Sequence, residues 1–317
     1  MVVVAVLPAL ATPPAEATFP GRNGEILYTV GWASRYENRP SALEAVGPRT
    51  GRIRELGACA TPRCQWTDVG VSPDGQRLGL LEVSQAIAPA YSYEIVITDL
   101  QGRVESRGTA PQFSQGRLRW SPEGSRILVK GLIGGVPQLT VLGLDGTPLQ
   151  VAARGDDSTA NLSTEWGGSY DWSRSDRLAF VGTVPAGCFL ECRQELFVAR
   201  PGETPRRITR RGATGHLSWS PNGRWIAFTK RTRDDANGLD VFIVRGNGTG
   251  LRRITRRSGR APTWSPDGKR IAFLRRGVLY TTTPKGTHLD EVTRIANDLG
   301  PTGEGRYVTA LDWAARP

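Results

Sequence analysis

The sequence predicts an all-β chain that folds as a six-bladed β-propeller with four-stranded antiparallel blades. Three observations predict it: a short phrase that recurs, a spacing of one blade between its copies, and a composition rich in turn residues, with 38 Gly and 22 Pro. The complete copies are Trp120-Ser-Pro-Glu-Gly124, Trp219-Ser-Pro-Asn-Gly223 and Trp264-Ser-Pro-Asp-Gly268, and degenerate copies begin at Val71, Trp172 and Trp313. Spacings of 45 to 52 residues between copies are typical of propeller blades.

Each copy predicts the strands of one blade in order. Ser, Pro, Asp or Asn, and Gly suit a tight turn, because Pro fixes φ and Gly accepts a positive φ. A first strand therefore ends at the Trp, and short apolar runs predict second strands at residues 126–129, 177–181, 225–229 and 270–274. Third strands are predicted at residues 95–99, 139–142 and 241–244, and fourth strands at residues 206–209 and 252–255.

The two ends of the chain carry complementary strands. Residues 24–30 have the pattern of a second strand with no Trp phrase before it, and residues 307–313 have that of a first strand with nothing after it. We expect the C-terminal strand to join the N-terminal blade, because closing the ring removes open sheet edges. The propeller would then be a single domain over residues 18–317, and loss of its last ten residues should disrupt the fold.

The repeated phrase, the Ile-Ala-Phe strand after it, the Asp-Gly turn and the Arg-Ile-Thr outer strand resemble the repeats of the TolB-type six-bladed propellers over residues 19–317. The resemblance implies the six-bladed propeller fold.

The N-terminus and the cysteines favour the same location. Residues 1–17 are predicted to be a signal peptide, with Ala15-Glu16-Ala17 as a small-residue cleavage site; the alternative is an apolar tail on a cytoplasmic protein. Two close cysteine pairs, Cys59 with Cys64 and Cys188 with Cys192, suggest local disulfides, the alternative being unpaired thiols. We expect a periplasmic or secreted protein without a transmembrane segment.

The two faces of the predicted propeller differ. Turns between first and second strands and between third and fourth strands are short, whereas the connections on the opposite face are long, and long loops on a rigid scaffold often bind partners. The loop aromatic residues are candidate binding residues, although aromatic rings in such loops also fold back over blade ends. They are Trp32, Tyr36, Trp66, Tyr91, Trp166 and Phe189.

Candidate catalytic residues are few, and none is assigned. His216 precedes the Trp219 phrase and is a candidate binding residue, with a structural role as the alternative; His288 is interpreted as structural. Asp171 and Asp312 precede their Trp residues near the axis, where they would bind a cation or substrate, or bond backbone between blades. The repeated tryptophans are expected to pack between blades: Trp120, Trp172, Trp219, Trp264 and Trp313.

A loop at residues 233–240 carries oxygen ligands at a density that calcium sites also have, but its spacing does not match an EF-hand. It is interpreted as a solvated polar loop, and no metal or cofactor is assigned.

The net charge of +11 raises the question of an anionic partner. Arginines flank the predicted outer strands, where charge protects an exposed edge, and a weak attraction to an anionic polymer or membrane is the secondary hypothesis. No specific nucleic-acid binding is expected. These arginines are Arg206, Arg207, Arg210, Arg211, Arg252, Arg253, Arg256 and Arg257.

Two function classes follow. The favoured one is a monomeric, non-catalytic extracytoplasmic binding or scaffold protein that presents its long-loop face to a protein or envelope polymer. The alternative is a propeller hydrolase or lyase acting on carbohydrate or peptide at the mouth of the central channel, through carboxylates or His216.

Overall fold

The structure is a computed structural model, and its six antiparallel sheets confirm the predicted propeller. It describes residues 21–33, 40–59, 61, 64–87, 90–111, 117–133, 136–154, 161–162, 170–184, 193–210, 212–213, 215–232, 238–296 and 305–316. The predicted signal peptide lies outside the described residues. Within the described part of the chain, no helix is long and apolar enough to cross a membrane.

The first three blades are each given from the innermost to the outermost strand. Blade 1 consists of β25 (Gly305–Ala315), β1 (Asn23–Ala33), β2 (Ala42–Val46) and β3 (Ile53–Ala58). Blade 2 consists of β4 (Cys64–Val71), β5 (Arg77–Ile87), β6 (Ala90–Asp99) and β7 (Val104–Thr109). Blade 3 consists of β8 (Arg119–Trp120), β9 (Arg126–Ile133), β10 (Val136–Gly143) and β11 (Pro148–Arg154).

The last three blades follow the same order. Blade 4 consists of β13 (Tyr170–Trp172), β14 (Leu178–Val184), β15 (Arg193–Ala199) and β16 (Arg206–Arg207), with β12 (Asn161–Leu162) also paired to β14. Blade 5 consists of β17 (Leu217–Trp219), β18 (Trp225–Arg231), β19 (Leu239–Arg245) and β20 (Arg252–Arg253). Blade 6 consists of β21 (Arg260–Trp264), β22 (Ile271–Arg275), β23 (Val278–Thr282) and β24 (Asp290–Arg294).

The Ser-Pro-Asp-Gly phrase forms the turn between the first two strands of a blade. In blade 2 the Gly75 amide donates to the Ser72 carbonyl at 2.9 Å, and the Ser72 hydroxyl donates to the Asp74 carboxylate at 2.5 Å. Gly75 has a φ of 71°, which a residue with a Cβ adopts only at a cost. The turn fixes where each second strand begins, and therefore sets the register of the blade.

The outer strands of blades 4 and 5 are shorter than predicted, ending at Arg207 and Arg253 instead of at the following Thr. They are shorter because a threonine side chain takes the place of the backbone partner in the strand's hydrogen bonds. The Thr209 hydroxyl oxygen accepts from the Leu196 amide at 2.9 Å and donates to the buried Glu195 carboxylate at 2.6 Å. Thr255 makes the equivalent bonds in blade 5, to the Val241 amide and to Asp240.

The ring closes by the pairing of β25 with β1, as predicted. Their antiparallel register runs from Asn23 opposite Ala315 to Ala33 opposite Gly305, so the C-terminal strand is the innermost strand of blade 1. Leu311 and Trp313 of β25 are buried in the core between blades 1 and 6, together with Ile26 and Tyr28 of β1. The closing strand therefore contributes side chains to an interface between blades as well as backbone bonds.

Leu311→Ala should lower the free energy of unfolding by about 3 kcal/mol, because it removes a fully buried side chain and leaves a cavity at the closing interface. Urea unfolding followed by tryptophan fluorescence measures the change. Leu149→Ala is the matched control, since Leu149 is 55% exposed and its truncation should cost less than about 0.5 kcal/mol. Equal effects of the two substitutions would contradict the role assigned to β25.

Candidate functional site

The innermost strands place a set of charged side chains in the central channel. Arg119 of β8 lies between two carboxylates of neighbouring blades, with its Nε 3.1 Å from Asp171 Oδ1 and its Nη1 3.7 Å from Asp68 Oδ2. Asp68 Oδ2 also accepts a hydrogen bond from the Leu118 amide. All three charged groups are buried, so Arg119 ties blades 2, 3 and 4 together at the axis.

Arg117 crosses the channel. Its Nη1 donates to the Leu217 carbonyl of blade 5 at 3.0 Å, and its Nη2 donates to the Leu311 carbonyl of blade 1 at 3.2 Å. Burial lowers the pKa of Arg117 to about 10, and repulsion from Arg119 acts in the same direction. The guanidinium remains charged at neutral pH and joins two blades that do not adjoin its own.

The carboxylates near the axis bond backbone amides of the next blade. Asp171 Oδ2 accepts from the Trp219 amide at 2.5 Å, and Asp312 Oδ2 accepts from the Val71 amide at 2.9 Å. Burial raises the pKa of Asp171 despite this bond and the nearby Arg119. Two roles were expected for these carboxylates, namely binding of a cation or substrate and bonding of backbone between blades. The observed hydrogen bonds are those of the second role.

The described channel mouth on the short-turn side has a volume of ≈ 70 Å³, and Arg117, Arg119, Asp171 and Asp312 are among the residues that line it. Ligand pockets usually have volumes of about 300–1,000 Å³. The mouth is therefore too small for a sugar or peptide substrate in this conformation.

His216 lies partly buried at the start of the innermost strand of blade 5, with a φ of 35°. Burial and the positive charge of Arg117 lower its pKa to about 3, with further repulsion from Arg260 and Arg119. The imidazole is consequently neutral at physiological pH, and its surroundings disfavour a role as a proton donor.

On the long-loop face, four strands extend further than the others. The second strand of blade 2 extends ten residues beyond Arg77, to Ile87. The second strand of blade 6 extends only five residues beyond the corresponding Arg270, to Arg275. Five residues of strand correspond to roughly 16 Å. β1 and β25 are likewise 11 residues long, and β6 has 10. We call the long-loop ends of these strands, residues 29–33, 83–87, 90–94 and 305–309, the raised edge of blades 1 and 2.

The raised edge carries aromatic side chains. Tyr91 is 54% exposed, Tyr93 is partly buried against the core, and Tyr307 packs over Gly31, where an added Cβ would lie 2.4 Å from the ring. Nearby charges are paired, since Arg107 lies 3.2 Å from Glu82 and 2.9 Å from Glu94. An aromatic surface with neutralised charge resembles the centre of a protein interface.

The predicted aromatic residues occupy different positions. Tyr91 is exposed at the tip of the raised edge, whereas Trp66 is partly buried, with its Nε1 donating to Glu82 at 3.0 Å. The backbone of Trp32 pairs with Arg306 inside β1, but its side chain lies outside the described residues. Tyr36, Trp166 and Phe189 also lie outside them.

A disulfide joins Cys59 to Cys64 below the raised edge, in the connection from blade 1 to blade 2. The Cys59 amide also donates to the Ser41 carbonyl at 2.9 Å, which fixes this connection against β2. Cys188 and Cys192 lie outside the described residues. Asp240, the last residue of the calcium-like loop, pairs with Arg253 at 2.5 Å, and residues 233–237 are not described.

The repeated tryptophans are buried, and each is at most 7% exposed. Three of them have an arginine from the preceding blade above the ring, an arrangement that was not predicted from the sequence. The guanidinium carbons of Arg77, Arg126 and Arg177 lie 5.0, 5.3 and 5.0 Å from the ring centroids of Trp120, Trp172 and Trp219. An Arg shortly after the turn phrase was the available signal.

Solved structures share this architecture. TolB from Acinetobacter baumannii is 16% identical, with a TM-score of 0.63, over 92% of this chain and 67% of its own. The putative TolB from Agrobacterium tumefaciens is 17% identical, with a TM-score of 0.57, over 92% of this chain and 99% of its own. The chain has the propeller fold of TolB.

Other proteins share the fold too. A periplasmic gluconolactonase from Pseudomonas aeruginosa is 14% identical, with a TM-score of 0.54, over 92% of this chain and 100% of its own. No family model matches the sequence. At these identities the comparisons establish the fold alone.

His216→Asn should remove a pH dependence of stability. The folded-state pKa of His216 is about 3 and its ordinary value is 6.5, so the unfolded chain binds the proton first and the wild type loses stability as pH falls below about 6.5. Asn accepts the positive φ and does not titrate. Between about pH 7 and about pH 5, the variant should gain up to about 2 kcal/mol relative to the wild type.

Urea unfolding at the two pH values measures this difference. Asp68, whose pKa burial raises to about 6, stabilises the fold as pH falls, but it is present in both proteins. Parallel pH profiles of the variant and the wild type would show that His216 already titrates normally.

The Cys59–Cys64 disulfide should stabilise the fold by about 2 kcal/mol, as expected for a bridge that closes so short a loop. A Cys59→Ala/Cys64→Ala variant should therefore have a free energy of unfolding that is lower by that amount, and a lower urea midpoint. The same variant treated with reductant is the control for the second cysteine pair. Thiol titration of the denatured wild type should find no free thiol if Cys188 and Cys192 are also joined. An unchanged midpoint in the double variant would remove the structural role of the bridge.

Proposed function

We propose that this protein is a non-catalytic extracytoplasmic binding or scaffold protein that uses the raised edge of blades 1 and 2 to bind a protein partner. The observation that carries the proposal is the exposed Tyr91 at the tip of the edge, above a local set of paired charges. Such residues dominate binding at protein interfaces because their large rings lose little conformational entropy.

The rigidity below the edge supports this role. The Trp66 amide donates to the Ser41 hydroxyl at 2.5 Å, and the disulfide fixes the adjoining connection. A preorganised surface loses less entropy on binding than a flexible one does. The bridge also agrees with an oxidising compartment, and with the proposed leader at residues 1–17.

The channel argues against the enzymatic alternative. Its described carboxylates bond backbone amides or Arg119, and Arg117 crosses the space that a substrate would need. Convergent titratable groups beside a pocket of substrate size at the channel mouth would have favoured a hydrolase or lyase acting there. The resemblance to a gluconolactonase concerns the propeller fold.

A photo-crosslinking amino acid placed at Tyr91 tests the proposal in cells. The expected result is an adduct of one discrete mass with a protein partner, identified by mass spectrometry. The matched control is the same amino acid at Val151, which is 40% exposed on the outermost strand of blade 3, away from the raised edge. Identical adducts from both positions, or none from Tyr91, would overturn the assignment of this surface.

Once the partner is purified, Tyr91→Ala should weaken its binding roughly 30-fold, as expected for an exposed aromatic residue at the centre of an interface. Val151→Ala should leave the affinity unchanged.

A further inference from the structure

The excess positive charge is concentrated in one part of the ring. Residues 193–262 contain 16 Lys and Arg against 5 Asp and Glu, a net charge of +11 that equals the charge of the whole chain. The remainder of the chain is therefore balanced. This stretch includes the two outer strands of blade 4, all of blade 5 and the start of the first strand of blade 6.

Five of these arginines, together with Arg177, lie at the short-turn face of blades 4 and 5. Each is in a turn between strands or at the strand end next to such a turn. They are Arg177, Arg200, Arg206, Arg224, Arg245 and Arg252. Burial and the positive charges of Arg200 and Arg206 lower the pKa of Arg177, so these three guanidinium groups lie near one another. We call this group the arginine patch.

The patch is held in place mainly by rings and carbonyl groups. Arg245 and Arg252 lie over the ring of Trp225, with guanidinium carbons 5.0 and 5.2 Å from its centroid. Arg206 donates to the Gly246 carbonyl at 3.2 Å. In the described part of the patch, the one ion pair is Arg200 with Glu203, at 3.9 Å between exposed groups. The positive charge is consequently little neutralised, and guanidinium groups bind phosphate oxygens strongly.

The same face carries exposed aliphatic side chains at corresponding positions. Each begins the outermost strand of its blade or comes within one residue of that beginning, and each is at least 36% exposed. They are Ile53, Val104, Leu149, Leu251 and Leu289, in five of the six blades. Leu251 lies directly beside Arg252, and Ile53 beside Arg52. We call these five residues the aliphatic rim.

We propose that the short-turn face docks on the surface of an anionic lipid bilayer, with the arginine patch at the headgroup phosphates and the aliphatic rim inserted among the lipids. A membrane explains both features, because interfacial binding combines buried apolar area with attraction to anionic headgroups. A soluble polyanion would use the arginines but would leave the aliphatic rim in water. Docking here leaves the raised edge on the opposite face open to a partner.

Flotation with lipid vesicles tests the proposal. The wild-type protein should float with vesicles that contain phosphatidylglycerol and not with pure phosphatidylcholine vesicles, and high salt should weaken the binding. Arg200→Gln/Arg224→Gln/Arg252→Gln should weaken it roughly 100-fold, since each basic residue near the surface contributes about fivefold. Leu251→Ser/Leu289→Ser should reduce the binding that persists at high salt.

The matched control is Arg210→Gln/Arg256→Gln/Arg257→Gln. It removes the same net charge from the same blades but from exposed positions toward the long-loop face, and it should bind almost as the wild type does. Thermal unfolding of each variant establishes that the fold is retained.

Three results would overturn the proposal. These are failure of the wild type to bind anionic vesicles at low salt, equal losses in the two triple variants, and patch-dependent binding to a soluble polyanion such as polyphosphate without binding to vesicles. The last result would assign the patch to a polymer. The crosslinks from Tyr91 concern the other face and are unaffected by any of these outcomes.

Discussion

Every blade of this propeller contacts two neighbours, and the innermost side chains at the contact between blades 6 and 1 come from β25, which pairs with β1. The innermost strand of blade 1 is β25, from the C-terminal part of the chain, and the other three strands come from residues 23–58. The same strand buries Leu311 and Trp313 against blade 6 and carries Asp312, which accepts from the Val71 amide of blade 2. Without β25, both interfaces of blade 1 would lose their innermost contacts.

The residue before each repeated Trp extends this coupling around the axis. Asp312, Arg119, Asp171 and Ser218 occupy this position in blades 1, 3, 4 and 5, and each contacts a group in the next blade. Burying a charge is costly unless it is paired and hydrogen-bonded. Asp171 meets this condition through the Trp219 amide and Arg119, and Asp312 accepts from the Val71 amide, so the construction of the ring accounts for both carboxylates.

The sequence predicted what is local and repeated. The number of blades, the turns and the closing strand followed from the spacing of the phrases and the turn chemistry of residues such as Gly75, because those depend on neighbours in the chain. The path of Arg117 could not be predicted, since its acceptors Leu217 and Leu311 are far away in sequence. The shortened outer strand at Arg207 was also missed, because the hydroxyl of Thr209 takes the place of a backbone partner.

The candidate surfaces were predictable only in part, for a related reason. The sequence pointed to the long-loop face and to Tyr91, but the height of the raised edge depends on how far β5 and β6 remain paired, which turn residues do not signal. The sequence also predicted that the arginines of the outer strands protect exposed edges. The aliphatic rim could not be predicted from the sequence, because its members are about one blade apart and each alone is an ordinary exposed residue.

The arginine patch and the aromatic raised edge lie on opposite faces of the ring, so the two faces differ in chemistry. Blades 1 and 2 pair their charges, as Arg107 does with Glu82 and Glu94, and rise as an aromatic edge. Blades 4 and 5 leave the guanidinium groups of Arg245 and Arg252 over a ring instead of a carboxylate. A scaffold needs this kind of asymmetry, because two ligands bound to opposite faces of a rigid body are held at a fixed distance and orientation. The blades supply the rigidity, since each face is built on strands that Arg117 and Arg119 join across the axis.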